Sequence, residues 1–192
     1  MGPDRTDEVL VEEVREGRER ALEELIERYR SRVYRLAYRF TSEKEDAEEV
    51  VQEVFMTLYR KLDRFEGKSS FSTWLYRVTV NASLMKLRGQ GQAELVSIDE
   101  LSEDHFQHDE EGPNPDETIM TEEALSRIER AVGRLPDEFK TVVILRDIEG
   151  FSNEETAQIL DISTAAVKSR VHRGRAYLRK RLKDLYEETV KH

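Results

Sequence analysis

Apolar residues return at steps of three and four along most of the chain, the spacing of a buried helix face. Between Asp7 and Phe40 the series is Leu22, Leu25, Ile26, Tyr29, Val33, Leu36, Ala37 and Phe40, and Gly17 either interrupts that stretch or divides it into two helices. Thr41 or Ser42 then offers an N-cap for a second helix. That helix carries Ala47, Val50, Val51, Val54, Phe55, Leu58, Tyr59 and Leu62 on one face, and Asp46, Glu48, Glu49, Gln52 and Glu53 on the other. Asp63 to Ser70 reads as a loop hinged at Gly67. A third helix is predicted from Phe71 to Arg88, with Phe71, Trp74, Leu75, Val78, Ala82 and Met85 as its apolar stripe. Packed together, these helices make a first domain.

The pattern stops at Gly89 and resumes near Thr121. Between them Gly89, Gly91, Gly112, Pro113 and Pro115 stand among many acids, a composition too polar to offset its ordering entropy, so an extended linker is expected. Beyond it, Leu125, Ile128, Val132 and Leu135 line one helix, and Pro136 suits the start of the next, which carries Phe139, Val142, Val143 and Leu145 and ends at Gly150. Ser152 and Glu155 form a capping box for a short helix ending near Leu160. Asp161 and Ile162 make a tight turn, and Ser163 caps a last helix running to about Tyr186. The fold class is all-α: two small helical domains on a flexible acidic linker, the second a helix-turn-helix.

Composition agrees with that reading. Of 192 residues only 9 are Gly and 4 Pro, which favours helices over a turn-rich β fold. The absence of cysteine excludes disulfides and thiolate metal sites. No stretch approaches the ~20 apolar residues needed to span a bilayer, and the polar, acidic N-terminus lacks a signal peptide's apolar core, so no membrane insertion and a cytoplasmic location are expected.

Net charge changes the picture only when resolved along the chain. The total is −10, which by itself argues against a polyanionic partner. Yet Ser163 to Lys183 holds eight basic residues and no acid, while Gly89 to Glu123 holds twelve acids and no lysine or arginine. The local field governs partner choice, so the last helix stands as a cationic element in an acidic protein.

That helix completes a duplex-DNA motif. Ala157 is small where two helices must cross closely, and Leu160, Ile162, Val167 and Val171 fill the angle between them. The second helix then presents Thr164, Lys168, Ser169, Arg170, His172 and Arg173. Arginine and lysine can bond guanine O6 and N7, and the remaining cations can neutralise phosphates. A solvated basic face is the plainer alternative, but cap, turn, apolar angle and acid-free ridge occur together here. In the first domain, the acidic outer face of the second helix is either a solvated surface or a docking face for a basic partner helix. The third helix holds Tyr76, Arg77, Asn81, Lys86 and Arg88 and no acid, which suits single-stranded DNA. Helical spacing assigns Phe71 and Trp74 to the core and leaves Phe65, Tyr76, Arg77 and Asn81 as contact candidates.

Four stretches carry a family resemblance: DAEEVVQEVF (Asp46 to Phe55), FEGKSSFSTWLYRVTVN (Phe65 to Asn81), LPDEFKTVVILRDIEGFSNEETAQIL (Leu135 to Leu160) and VKSRVHRGR (Val167 to Arg175). In this order, around an acidic linker, they resemble the extracytoplasmic-function (ECF) sigma factors, the minimal sigma family with regions 2 and 4 only. The resemblance implies region 2 over 7–88 (core polymerase binding, −10 recognition and melting), a linker over 89–120, and region 4 over 121–187 (−35 recognition). It implies that Asp46, Glu49, Gln52 and Glu53 dock the coiled-coil of the polymerase β′ subunit, and that β is contacted as well. It implies that the loop from Phe65 through Lys68 and Ser69 to Ser70 takes a flipped −10 base, with Asn81 and Phe65 lining the pocket and Arg77 and Arg88 steadying the backbone. Lys168, Ser169, Arg170, His172 and Arg173 match the helix that reads the −35 element. Expected partners are therefore core RNA polymerase and promoter DNA, duplex and single-stranded. The family commonly has Asp four residues after the Asn; here Met85 stands there, which changes the local packing or DNA contact. The chain starts close to the first helix and stops soon after the last, leaving room for no further regulatory domain, so control is expected from an anti-sigma factor.

Two other function classes compete with this reading. A stand-alone helix-turn-helix regulator would read palindromic duplex DNA without polymerase. A DNA-acting enzyme such as a serine recombinase would need a base and a phosphate-gripping arginine cluster around Ser69 and Ser70, and the sequence supplies neither. No cofactor is expected: there is no phosphate-binding glycine loop and no His-Glu pair at metal spacing, and His105 and His108 belong to the polar linker.

Overall fold

Gly17 decides the first break. It takes φ +83°, a left-handed conformation costly for other residues, so the opening stretch divides into α1 (Asp7–Arg15) and α2 (Glu19–Thr41). The computed structural model describes residues 5–89 and 122–190, the side chains of 122–126, 129 and 184–190 excepted; residues 90–120 of the expected linker, with His105 and His108, lie outside the described residues. After α2 come α3 (Lys44–Lys61), a single 3-10 turn (Leu62–Arg64) and α4 (Phe71–Gly89). The second group is α5 (Glu122–Gly133), α6 (Asp137–Val143, extended by a π-helical turn over Ile144–Ile148), α7 (Asn153–Leu160) and α8 (Thr164–Val190). All elements among the described residues are helical, as the patterning implied.

α2, α3 and α4 pack on one another, and α1 lies against α2. Their shared core includes Leu25, Leu36, Phe40, Val54, Leu58, Phe71 and Leu75. Arg28 ties α2 to α1 through Asp7 at 2.7 Å. Asp7 also accepts a hydrogen bond from the Tyr29 hydroxyl, and burial followed by that carboxylate pushes the phenol far above its usual range.

Three local expectations change. Thr41 and Ser42 do not cap α3. Thr41 ends α2, with its hydroxyl donating to the Ala37 carbonyl at 3.1 Å, and Ser42 turns the chain at φ 61°. The α3 N-cap is Glu43, which makes no side-chain capping bond. Tyr59, assigned to the buried face of α3, is 76% exposed. The stripe of α4 is also rotated from the expected one: Met85 is 71% exposed, and the buried side includes Thr79, Val80, Ser83 and Leu87. Thr79 and Ser83 enter the core because their hydroxyls donate to the carbonyls one turn back, Leu75 and Thr79, each at 2.9 Å.

In the second group Pro136 is the N-cap of α6 rather than its first helical residue. α8 packs along α6 so closely that a Cβ on Gly174 would stand 2.8 Å from Val143 Cγ2 and 3.4 Å from Phe139 Cβ. Glycine is required there by space.

Candidate nucleic-acid interface

The turn from α7 to α8 follows the local chemistry closely. Ser152 Oγ accepts from the Glu155 backbone N–H at 3.0 Å, and the Glu155 carboxylate accepts from the Ser152 N–H at 2.7 Å. That backbone bond, then the serine hydroxyl, holds the Glu155 carboxyl below the usual range. Asp161 ends α7 at φ 56°, and Ser163 Oγ accepts from the Ala166 N–H at 3.1 Å to cap α8. Val142, Ala157, Val167 and Val171 form a buried cluster with Leu160 and Ile162 against it, as the apolar-angle reading required. Lys168, Ser169, His172 and Arg173 consequently face outward, while Thr164 and Arg170 are half-buried. Arg170 leans toward Glu138 of α6 at 3.6 Å. Further along, Arg175 grips Asp147 through two bonds of 3.0 and 2.6 Å, which raise its pKa and lock α8 to the end of α6.

The first group assembles its candidates from a loop and a helix. Ser70 caps α4, accepting from the Thr73 N–H at 3.2 Å, a role missed when the serines were read only as loop residues. Phe65 is half-buried in a wedge of rings, 6.1 Å from Phe71 and 5.7 Å from Trp74. Its carbonyl accepts from Arg15 of α1, a loop tether that no sequence pattern announced. Lys68 extends to solvent beside Glu66, and Ser69 Oγ reaches the Ser70 carbonyl at 3.4 Å. Asn81 of α4 is exposed.

Tyr76 does not join that surface. It is 9% exposed, and its ring meets Phe151 of the second group edge-on at 5.1 Å; burial raises the pKa of its phenol. Rotation of α4 turns Tyr76 toward Tyr29 of α2, and Phe151 of the second group covers it as well. Arg77 is half-buried and donates to the Gln158 carbonyl, and Arg88 stands 3.9 Å from Asp137.

On α3, Glu49, Gln52 and Glu53 are exposed, and Asp46 is half-buried. Lys86 of α4 sits between Asp46, at 3.2 Å, and Glu49, whose hydrogen bond is the chief reason the lysine's pKa is raised. Met85, Met56 and Val78 floor a groove beside them, rimmed by Glu49 and Glu53. Among the described residues no cluster of metal-ligating side chains forms, and no helix is long and apolar enough to cross a membrane.

Known proteins share this arrangement along the chain. The model of sigma-70 region 2 matches residues 25–93, and that of sigma-70 region 4 matches residues 125–178. The ECF RNA polymerase sigma factor SigW of Bacillus subtilis is 32% identical over 180 residues, covering 91% of this chain and 96% of its own. The ECF RNA polymerase sigma-E factor of Escherichia coli K12 is 36% identical over 179 residues, covering 91% and 93%. Among solved structures, CnrH in complex with the cytosolic domain of CnrY superposes with a TM-score of 0.67 at 25% identity, covering 93% of this chain and 97% of CnrH. The chain belongs to the ECF RNA polymerase sigma factors, the factors that direct polymerase to promoters.

Proposed function

We propose that the chain divides promoter recognition between region 2 over 7–88 and region 4 over 121–187, joined by an acidic linker over 89–120. The outward cationic ridge of α8 on its capped turn supports this most directly. Thr164, Lys168, Ser169, Arg170, His172 and Arg173 read the −35 duplex, with lysine and arginine sharing base and phosphate contacts. Region 2 works on separated strands. The loop from Phe65 through Lys68 and Ser69 borders a pocket for an unstacked −10 base, Asn81 offers an amide to its edge, and Arg77 and Arg88 hold the backbone. Unstacking costs a few kcal/mol per step, and stacking contacts of ~1–3 kcal/mol per base offset it. Tyr76 belongs to the same proposed set, although Phe151 of the second group packs against its ring in this structure.

The acidic face of α3, with Asp46, Glu49, Gln52 and Glu53, docks the β′ coiled-coil, and region 4 rests on β. Both act in the cytoplasm, where promoter DNA lies. An anti-sigma protein regulates the factor; the complex of the similar CnrH with CnrY supports a protein partner. No covalent chemistry is needed, so the factor is not an enzyme and takes no cofactor. The test is run-off transcription with core polymerase on a promoter library. Start-site selection must appear only when this protein is added, and footprinting of palindromic duplexes without polymerase would instead favour a stand-alone regulator. Asn81→Ala must impair opening more than polymerase binding; the reverse order defeats the pocket assignment.

A further inference from the structure

The pocket proposed for the −10 base is bordered by a loop with little structure of its own. Phe65 follows a single 3-10 turn, and its N–H donates to the Leu62 carbonyl at 3.0 Å. Two residues on, Gly67 turns the chain at φ +70°, with nothing within 4 Å of where a Cβ would stand. Such a loop keeps one shape only when something outside it holds it. Two holds reach this one, and both come from α1.

The first hold is direct. Arg15, the last residue of α1, donates to the Phe65 carbonyl fifty positions ahead, while its other terminal nitrogen meets Glu12 at 3.1 Å. A planar guanidinium spans two acceptors in this way. The second hold runs through rings. Asp7, in the first turn of α1, accepts from the Tyr29 hydroxyl, and Tyr29 meets Phe71 edge-on at 5.4 Å. Phe71 and Trp74 in turn flank the Phe65 ring at 6.1 and 5.7 Å. α1 is itself fixed on α2: Leu10 and Val11 are buried, Arg28 reaches Asp7, and Arg5 spans Glu13 and Glu24. The two ends of one short helix therefore hold the ring floor of the loop and its carbonyl. Yet all of α1 lies ahead of residue 25, where the match to sigma-70 region 2 begins.

We propose that Arg15 is a positioning residue for −10 readout, acting through the loop rather than on DNA: it fixes the Phe65 carbonyl so that Phe65 to Ser70 present one shape to the flipped base. A binding constellation discriminates only when its groups are held within about 0.5 Å of the productive geometry. Releasing the carbonyl lets the loop take shapes that admit other bases, so discrimination falls. Polymerase docking on α3 and −35 recognition on α8 use other elements and stay as they are. The base-reading role of the loop rests on the function proposed above; the brace from α1 does not.

Trp74 is the one tryptophan of the chain and lies against Phe65, so its emission reports the loop in the free protein without DNA. Arg15→Ala should shift that emission to the red and make it easier to quench with acrylamide. Arg15→Lys, which keeps a donor for the carbonyl, should return part of both. In holoenzyme, transcription is then measured from promoters varied one base at a time across the −10 element. Arg15→Ala should lower preference for the favoured base about tenfold, the worth of one charge-assisted hydrogen bond. Arg15→Lys should recover much of it, and preference at −35 should not change. An unaltered Trp74 signal overturns the positioning role. So does an unaltered −10 preference where Phe65→Ala loses it, or an equal loss on every promoter. If Trp74 responds and Phe65→Ala leaves −10 preference intact, the brace stands and the assignment of the loop to the −10 base falls.

Discussion

The α3 face of region 2 and the α8 face of region 4 are both exposed, charged helix surfaces, but they keep their charges differently. On α3, Asp46 and Glu49 already share Lys86, and the cations proposed for −10 contact, Arg77 and Arg88, already meet Gln158 and Asp137. On α8, Lys168 and Arg173 face outward, and no ion pair among the described residues engages them. Apart from Arg170, which leans on Glu138, region 4 therefore offers cations ready for phosphates, whereas region 2 must exchange internal partners for external ones. A surface whose charges are pre-paired gains less on binding, because each new contact replaces an old one.

The largest expected effects test whether each region's core is its own. Leu58 is fully buried between the helices of region 2, so Leu58→Ala should cost about 2–5 kcal/mol. Gly174→Leu instead forces a side chain into the space held by Val143 and Phe139 and should cost about 1–3 kcal/mol in region 4. Thermal melts with a reporter in each region measure both. Separate regions would each lose stability alone; loss of both signals in either variant would show that the inter-region contacts couple them.

Arg170→Ala sharpens the comparison at the level of readout. If its guanidinium is bidentate to guanine, discrimination at one −35 position should fall by about 1–3 kcal/mol. The check is transcription from single-base promoter variants; an even loss across all positions would make Arg170 a phosphate contact, and unchanged preference would remove it from the site.

The same contrast explains what the sequence could disclose. Region 4 was legible because its site is built from neighbours in the chain: Ser152 with Glu155, Asp161 at the turn, Ser163 at the cap and a small Ala157 at the crossing. Region 2 was legible in outline, but its surface was not. Thr79 and Ser83 count as polar in any pattern, yet their hydroxyls bond within α4 and sink into the core, rotating Met85 outward and Tyr76 inward. Ser42 looked like a cap and instead reverses the chain. Lys140 gave no signal, since its partner is a backbone carbonyl a hundred positions away.

The smallest effect concerns the element that made region 4 readable. Ser152→Ala removes the hydroxyl that accepts from the Glu155 N–H and should cost about 1 kcal/mol. The backbone N–H at position 152 still reaches the Glu155 carboxylate, so the pH dependence of the cap should survive. Its sign follows from the carboxyl's depressed pKa: the added stability is complete above the unfolded glutamate range, about pH 4.3, and is lost as pH falls through the lower folded value. Glu155→Gln should abolish that acid-side loss while leaving the serine bond intact. Chemical denaturation of both variants between neutral and acid pH separates the two halves of the box. If Ser152→Ala erased the pH dependence and Glu155→Gln preserved it, the carboxylate would not be the group that senses the helix start, and the local logic that sets region 4 apart from region 2 would fail at its clearest point.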